Sequence, residues 1–282
     1  VLNNHESKIT AIAFNPDGKT MAIGSADGLV KIWSVDGDKV LATLDHHGYN
    51  ITSIAYVSGT RLVTSCDYNG YDGVIDNGPI YFWNINENME QDVGTKYEQV
   101  KPFKDIFEKA IYSISVLEDR LVTGGAEGIH IFDMSLENFF LQGLRKPIPL
   151  HSTQYLFVIA VALNGDKLAY IGYDENDQMV LAIGKISISV DNVPKFTETR
   201  KIDMDNLTSL VFSPDGNTLV TTDSYGNIMF WGVKDEFSSS KSFNTIQNNL
   251  HIISMAISPD QRYVVIGDEE KVRMIELEYQ LI

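Results

Sequence analysis

Residues 9–34, ITAIAFNPDGKTMAIGSADGLVKIWS, hold three short apolar or alternating runs separated by two turns. Residues 9–14 (ITAIAF) form the first run, and residues 15–18 (NPDG) reverse it. Pro16 sets φ for the first turn position, and Asp17-Gly18 tolerate the backbone angles that complete the turn. Residues 21–25 (MAIGS) are the second run, reversed at residues 26–28 (ADG), and residues 29–33 (LVKIW) are the third. These runs are too short and too β-branched for helices, and they predict an antiparallel meander.

The same unit recurs along the chain. Residues 51–56 (ITSIAY) and 80–84 (IYFWN) repeat its first and third runs, as do residues 111–114 (IYSI) and 129–133 (IHIFD). A degenerate fourth copy opens at residues 156–161 (LFVIAV) and turns at residues 163–166 (LNGD). The fifth is close to the first: residues 207–212 (LTSLVF), 213–216 (SPDG) and 228–231 (IMFW). The sixth runs from residue 252 through 258–260 (SPD) to 272–276 (VRMIE). First runs begin at residues 9, 51, 111, 156, 207 and 252, a period that belongs to four-stranded blades and not to helical repeats of roughly 33–34 residues.

The SPDG turn, the Gly-Asp turn and the tryptophan closing the third strand resemble the WD40-repeat family over essentially the whole chain. The resemblance implies an all-β propeller of four-stranded antiparallel blades. Six repeats are countable, and seven blades, the commonest number in that family, stay open. It further implies outer strands at residues 39–44 and 241–246. It also implies a buried set in each blade: a histidine before the first strand, Ser/Thr on the second, aspartate in the next turn, tryptophan on the third. Carried over, His5, Asp27 and Trp33 match in copy one, with Ile23 at the hydroxyl position. Thr64 and Trp83 match in copy two, with His46 or His47 ahead of them. Copy three keeps Thr123, with Glu127 at the aspartate place and Phe132 for tryptophan. Copy five keeps Thr221 and Trp231, with Tyr225 at the aspartate place. No copy keeps the full set, so the blades of this divergent member depend more on apolar packing.

At 282 residues the chain suits one ring of blades, read as a single domain over residues 1–282. A start at Val1 suggests a piece of a longer polypeptide. A domain of this size buries roughly three quarters of its unfolded surface, so no metal or disulfide is required. One cysteine, Cys66, fits a reducing compartment, and the cytoplasm is the expected location. No apolar run approaches the roughly 18 residues of a membrane span. A formal net charge of −16 disfavours nucleic acid and anionic lipid, and its plainest meaning is solubility.

Three segments depart from the repeat. Residues 67–79 and 172–178 are long tips between second and third strands. In residues 87–110, Phe103, Ile106 and Phe107 have helical spacing, which predicts a short helix. In a ring of meanders every second-to-third-strand turn emerges on the face of the preceding outer-to-first connection. That face gathers an acidic rim with aromatic partners for cations: Asp67, Tyr68, Tyr71, Asp72, Asp76, Tyr173, Asp174, Glu175, Asp177 and Tyr225. The competing explanation is that hairpin tips select Asp, Asn and Gly for their backbone angles, and for the short turns it is the better one.

Asp67, Asn69, Tyr71 and Asp76 superficially suggest a calcium loop, but Gly70 comes too early and position twelve is Gly78, so no metal is expected. GxxxxGK[ST], HExxH and GxSxG patterns do not occur. The expected function is a non-enzymatic, cofactor-free protein-interaction scaffold, a monomeric domain in a larger assembly. It would bind proteins or peptides, basic ones in particular, through the acidic loop face. Two alternatives remain: a ligand-sensing propeller of a multidomain signalling protein, and a propeller hydrolase or lyase with a channel active site.

Overall fold

The structure is a computed structural model. It describes the chain apart from residues 1–4, 37–38, 46–48, 68–79, 86–97, 101–109, 119, 127, 135–156, 175, 189–193, 234–243, 248–249, 270 and 278–282. The helix expected around Phe103 therefore lies outside the described residues.

Each repeat folds into its own antiparallel sheet with strands in chain order. Blade 1 is β1 (Ile9–Phe14), β2 (Thr20–Ser25), β3 (Leu29–Ser34) and β4 (Lys39–Asp45). Blade 2 is β5 (Ile51–Ser58), β6 (Arg61–Cys66), β7 (Ile80–Asn84) and β8 (Glu98–Val100). Blade 3 is β9 (Ile111–Leu117), β10 (Arg120–Gly125) and β11 (Gly128–Asp133). Blade 4 is β12 (Phe157–Asn164), β13 (Lys167–Tyr173), β14 (Met179–Ile188) and β15 (Pro194–Asp203). Blade 5 is β16 (Leu207–Phe212), β17 (Thr218–Asp223), β18 (Asn227–Gly232) and β19 (Asn244–Gln247). Blade 6 is β20 (Ser254–Ile257), β21 (Tyr263–Gly267) and β22 (Val272–Glu276).

The expectation of four strands per blade holds for four sheets; among the described residues blades 3 and 6 have three. The outer strand read at residues 241–246 is β19, beginning at Asn244. Sequence reading did not place β15, the outer strand of blade 4. Its run PKFTETRKID is mostly polar, with Phe196 and Ile202 packed against different clusters, so it carries no apolar periodicity to read.

Packing arranges the six sheets as a closed ring. First strands β1, β5, β9, β12, β16 and β20 are successive neighbours, and β20 returns to β1. Six apolar clusters fill the six interfaces. Ala22, Ile32 and Leu44 of blade 1 meet Ile54, Leu62 and Trp83 of blade 2. The closing interface sets Ile9, Ile12 and Trp33 against Ala256, Val265 and Val272. With both sheet faces covered by neighbours, middle strands are buried throughout, as in β2 (TMAIGS) and β17 (TLVTTD). Their sequences therefore read as continuous runs instead of alternating ones.

Close approach between blades selects glycine at two equivalent places. A Cβ on Gly24 would lie 2.5 Å from Ile51 Cγ2, and one on Gly124 would lie 2.6 Å from Val158 Cγ1. Both sit where the next blade's first strand presses on the second strand, and only a missing side chain leaves room.

Candidate functional site

In blades 1, 2, 3 and 5 the residue following the second strand donates its N–H to the residue preceding the first. Ala26 N reaches Lys8 O at 2.9 Å, Asp67 N reaches Asn50 O at 3.1 Å and Ser224 N reaches Asn206 O at 2.9 Å. These bonds fix the second-to-third-strand turns and the incoming connections on one face.

Among the described residues, most acidic side chains of that face are occupied by hydrogen bonds from their own turns or from neighbouring side chains. Asp27 Oδ1 accepts from Leu29 N at 2.9 Å, while its Oδ2 lies 3.1 Å from His5 Nδ1. Burial opposes the Asp27 charge, but those hydrogen bonds outweigh it and hold the carboxyl below its usual range. His5 is held below the usual imidazole range by burial, against the pull of Asp27. Asp67 accepts from Asn50 Nδ2 at 2.9 Å. Asp174 takes Lys201 Nζ at 2.6 Å and the amides of Asn176 and Gln178, and the Lys201 contact with these amides brings its pKa to about 2. Asp223 accepts from the amides of Tyr225 and Asn227 and from Asn227 Nδ2 at 2.7 Å. Glu269 accepts from Lys8 Nζ at 2.9 Å, which ties blade 6 to blade 1 on this face.

Two residues of the expected rim stand out into solvent. Tyr225 is 68% exposed, with its Oη 3.4 Å from Asn206 Nδ2. Asp177 is exposed at a left-handed φ of 58° in the tip of the neighbouring blade 4. Tyr173 is half-buried at the end of β13. Tyr68, Tyr71, Asp72, Asp76 and Glu175 lie outside the described residues.

In the blade interiors, Trp83 Nε1 donates to Thr64 Oγ1 at 2.8 Å and Trp231 Nε1 to Thr221 Oγ1 at 2.9 Å. Trp33 Nε1, in a blade where Ile23 takes the place that Thr64 and Thr221 fill in blades 2 and 5, has no hydrogen-bond partner among the described residues. Thr123 Oγ1, whose tryptophan is replaced by Phe132, has none either.

The family description "WD domain, G-beta repeat" matches residues 1–34, 38–75 and 199–232, which take in the first and fifth copies of the repeat and the first two strands of the second. Three stretches of the chain thus match the WD40 repeat. It is similar to eukaryotic translation initiation factor 3 subunit I of Candida glabrata, 24% identical over 277 residues, with 95% of this chain and 72% of that protein covered. It is similar over shorter stretches to a periodic tryptophan protein 2 homolog of Caenorhabditis elegans, 33% identical over 66 residues, 23% of this chain and 7% of that protein. Target of rapamycin complex subunit wat1 of Schizosaccharomyces pombe is 32% identical over 84 residues, 30% of this chain and 24% of that protein. The chain thus spans a small part of several relatives, and two of the three are named as subunits of assemblies. WD40-repeat relatives of this kind support a protein-interaction propeller in general terms.

The ring encloses a channel of about 870 Å³ walled by the first strands of all six blades. Its mouth on the turn face carries Asn50, Asp67, Tyr112, Thr208 and His251, and Pro16, Pro214 and Pro259 line the other end. Burial, with the Asp67 charge adding to it, raises the Tyr112 phenol above its usual range. No Lys or Arg lines the channel among the described residues. Inner-strand serines stitch one blade to the next: Ile114 N donates to Ser53 Oγ, Val161 N to Ser113 Oγ and Leu163 N to Ser115 Oγ, each at 3.0 Å. Sequence reasoning missed these, although the I-x-S-I spacing of ITSI and IYSI was there to find. Among the described residues no three His, Cys, Asp or Glu side chains gather as a metal site, and no helix is long and apolar enough to cross a membrane.

Proposed function

We propose that residues 1–282 act as one non-enzymatic WD40 propeller domain that binds a partner protein on the face carrying the second-to-third-strand turns. The carrying observation is Tyr225, a large aromatic 68% exposed at the tip of a rigid hairpin. A tyrosine held out at that cost is the kind of anchor that dominates binding at interfaces. Its blade neighbour contributes Asp177, whose carboxylate, unlike those of Asp27, Asp174 and Asp223, accepts no turn hydrogen bond among the described residues. Together with Asp67 at the channel mouth and the chain's charge of −16, they favour a partner segment bearing lysine or arginine. The single cysteine, Cys66, is buried and has no second cysteine in the chain to join, which supports a reducing, cytoplasmic setting.

Pull-down from source-cell lysate tests this reading. Tyr225→Ala combined with Asp177→Lys should lose the partner that the unaltered ring captures, while Asp166→Lys on the opposite face should keep it. Equal capture by the first variant would rule out the Tyr225 face.

A further inference from the structure

We infer that the ring carries a second docking surface, on the face opposite Tyr225, built by the β13–β14–β15 ladder and shaped for an acidic protein segment. It is independent of the reading of the Tyr225 face, because it uses other residues at the other end of the blade.

The observation is a collection of lysines in a strongly acidic chain. In the ladder Lys167 stands directly opposite Lys185, Lys185 opposite Thr197, and Ser187 opposite Lys195. Residues opposed in an antiparallel sheet point to the same face, so three lysines and two hydroxyls share one surface. The face is the one turned towards blade 5. Ala169, Ile171, Leu181 and Ile183, at alternate positions from Lys167 and Lys185, pack with Leu219 and Trp231, and Lys167 Nζ reaches Gly216 O at 3.0 Å. Lys185, Ser187, Lys195 and Thr197 are exposed. Among the described residues no carboxylate pairs with any of the three lysines. Asp215, in the turn beside Gly216, is held by Ser213 and Asn217, and Glu198 stands opposite Gly184 on the other side of the sheet.

Like charges directly opposed in a ladder destabilise it. A sheet selected for stability alone would place a glutamate opposite one of them. β14 and β15 also run past β13: Ser187↔Lys195 and Ile188↔Pro194 pair beyond the Lys167 row, so the patch rides on a two-stranded ribbon projecting from the ring. β15 is the outermost strand of its sheet. Lys185 and Lys195 are diagonal neighbours, roughly 7–8 Å apart at the backbone, and alternate residues of an extended chain repeat at roughly 7 Å. An extended segment with a carboxylate at every second residue therefore matches the lysine spacing. The overall charge of −16 does not forbid this, because at physiological salt charges are screened beyond about 8 Å.

The test is fluorescence anisotropy with a labelled peptide of ten glutamates and, in parallel, a ten-nucleotide single-stranded RNA. The intact ring should bind the peptide, more weakly as salt rises and more tightly than the RNA. Lys185→Glu with Lys195→Glu should weaken peptide binding at least tenfold, whereas Lys8→Glu with Lys271→Glu on the other face should leave it unchanged. Lys185→Gln should lower affinity and raise the melting temperature, a combination that a purely structural lysine would not give and that also shows the variant folds. Wild-type affinity in the Lys185/Lys195 variant, no peptide binding by the intact ring, or tighter binding of the RNA would each overturn the proposal.

Discussion

Trp33 and Trp83 occupy equivalent places in adjacent blades, and their surroundings treat them differently. Both are buried, but only Trp83 finds a hydroxyl, because β6 offers Thr64 where β2 offers Ile23. Removing that acceptor leaves a buried N–H unpaired. Thr64→Val should therefore cost about 1–3 kcal/mol in urea unfolding, as should Thr221→Val beneath Trp231. His130 gives a pH prediction. Burial, with its ring stacked on Phe132, pushes its pKa down to about 4, so the folded protein resists the proton that the unfolded chain accepts near 6.5. Stability from this residue is complete above pH 6.5 and is lost as pH falls towards 4, by roughly 3 kcal/mol. Thermal melts over that window should show the slope, and His130→Phe should flatten it.

At the scale of the strand, the second strands bring the blades together and so are the least tolerant of added bulk. Gly24→Ala and Gly124→Ala would each drive a methyl into the neighbouring first strand, against Ile51 and Val158 respectively. Each should destabilise by about 1–3 kcal/mol, the usual cost of overpacking a core. Gly232→Ala, where an added Cβ meets nothing within 4 Å, is the control and should change the melting temperature little. The two glycines were visible in the sequence as members of the second run. Their reason was not, because the clashing atoms belong to the next repeat. The turns were more legible: Asp17, Asp215 and Asp260 follow Asn or Ser and proline, and the structure closes them with local bonds such as Lys19 N to Asp17 Oδ1 at 2.8 Å and Ser258 Oγ to Asp260 Oδ1 at 2.6 Å.

For the whole molecule, ring closure is what converts six marginal sheets into one core. Ile9 in the blade 6–blade 1 interface is as buried as Ile51 in the blade 1–blade 2 interface. Ile9→Ala and Ile51→Ala should accordingly cost similar amounts, each about 2–5 kcal/mol, in a single cooperative transition. A much smaller loss for Ile9 would mean that the ring opens there. The Lys8–Glu269 ion pair spans the same seam, but both partners are more than half exposed, so Lys8→Ala should change stability by less than about 1 kcal/mol.

The repeat, most of its strands and its turns were determined by the sequence itself, because short apolar runs and proline–aspartate–glycine turns act over a few residues and need no partner from afar. The acidity of the turn face was equally legible, but its availability was not. Whether Asp174 is a free carboxylate or the acceptor of Lys201, and whether Asp223 serves a partner or its own turn, depends on groups that folding brings near. The lysine surface of blade 4 was hidden for the same reason: residues 167, 185 and 195 become neighbours only through the register of one sheet. Tertiary structure also decided the closing of six sheets into a ring, since the seam pairs the first repeat with the last and no local signal can state that contact.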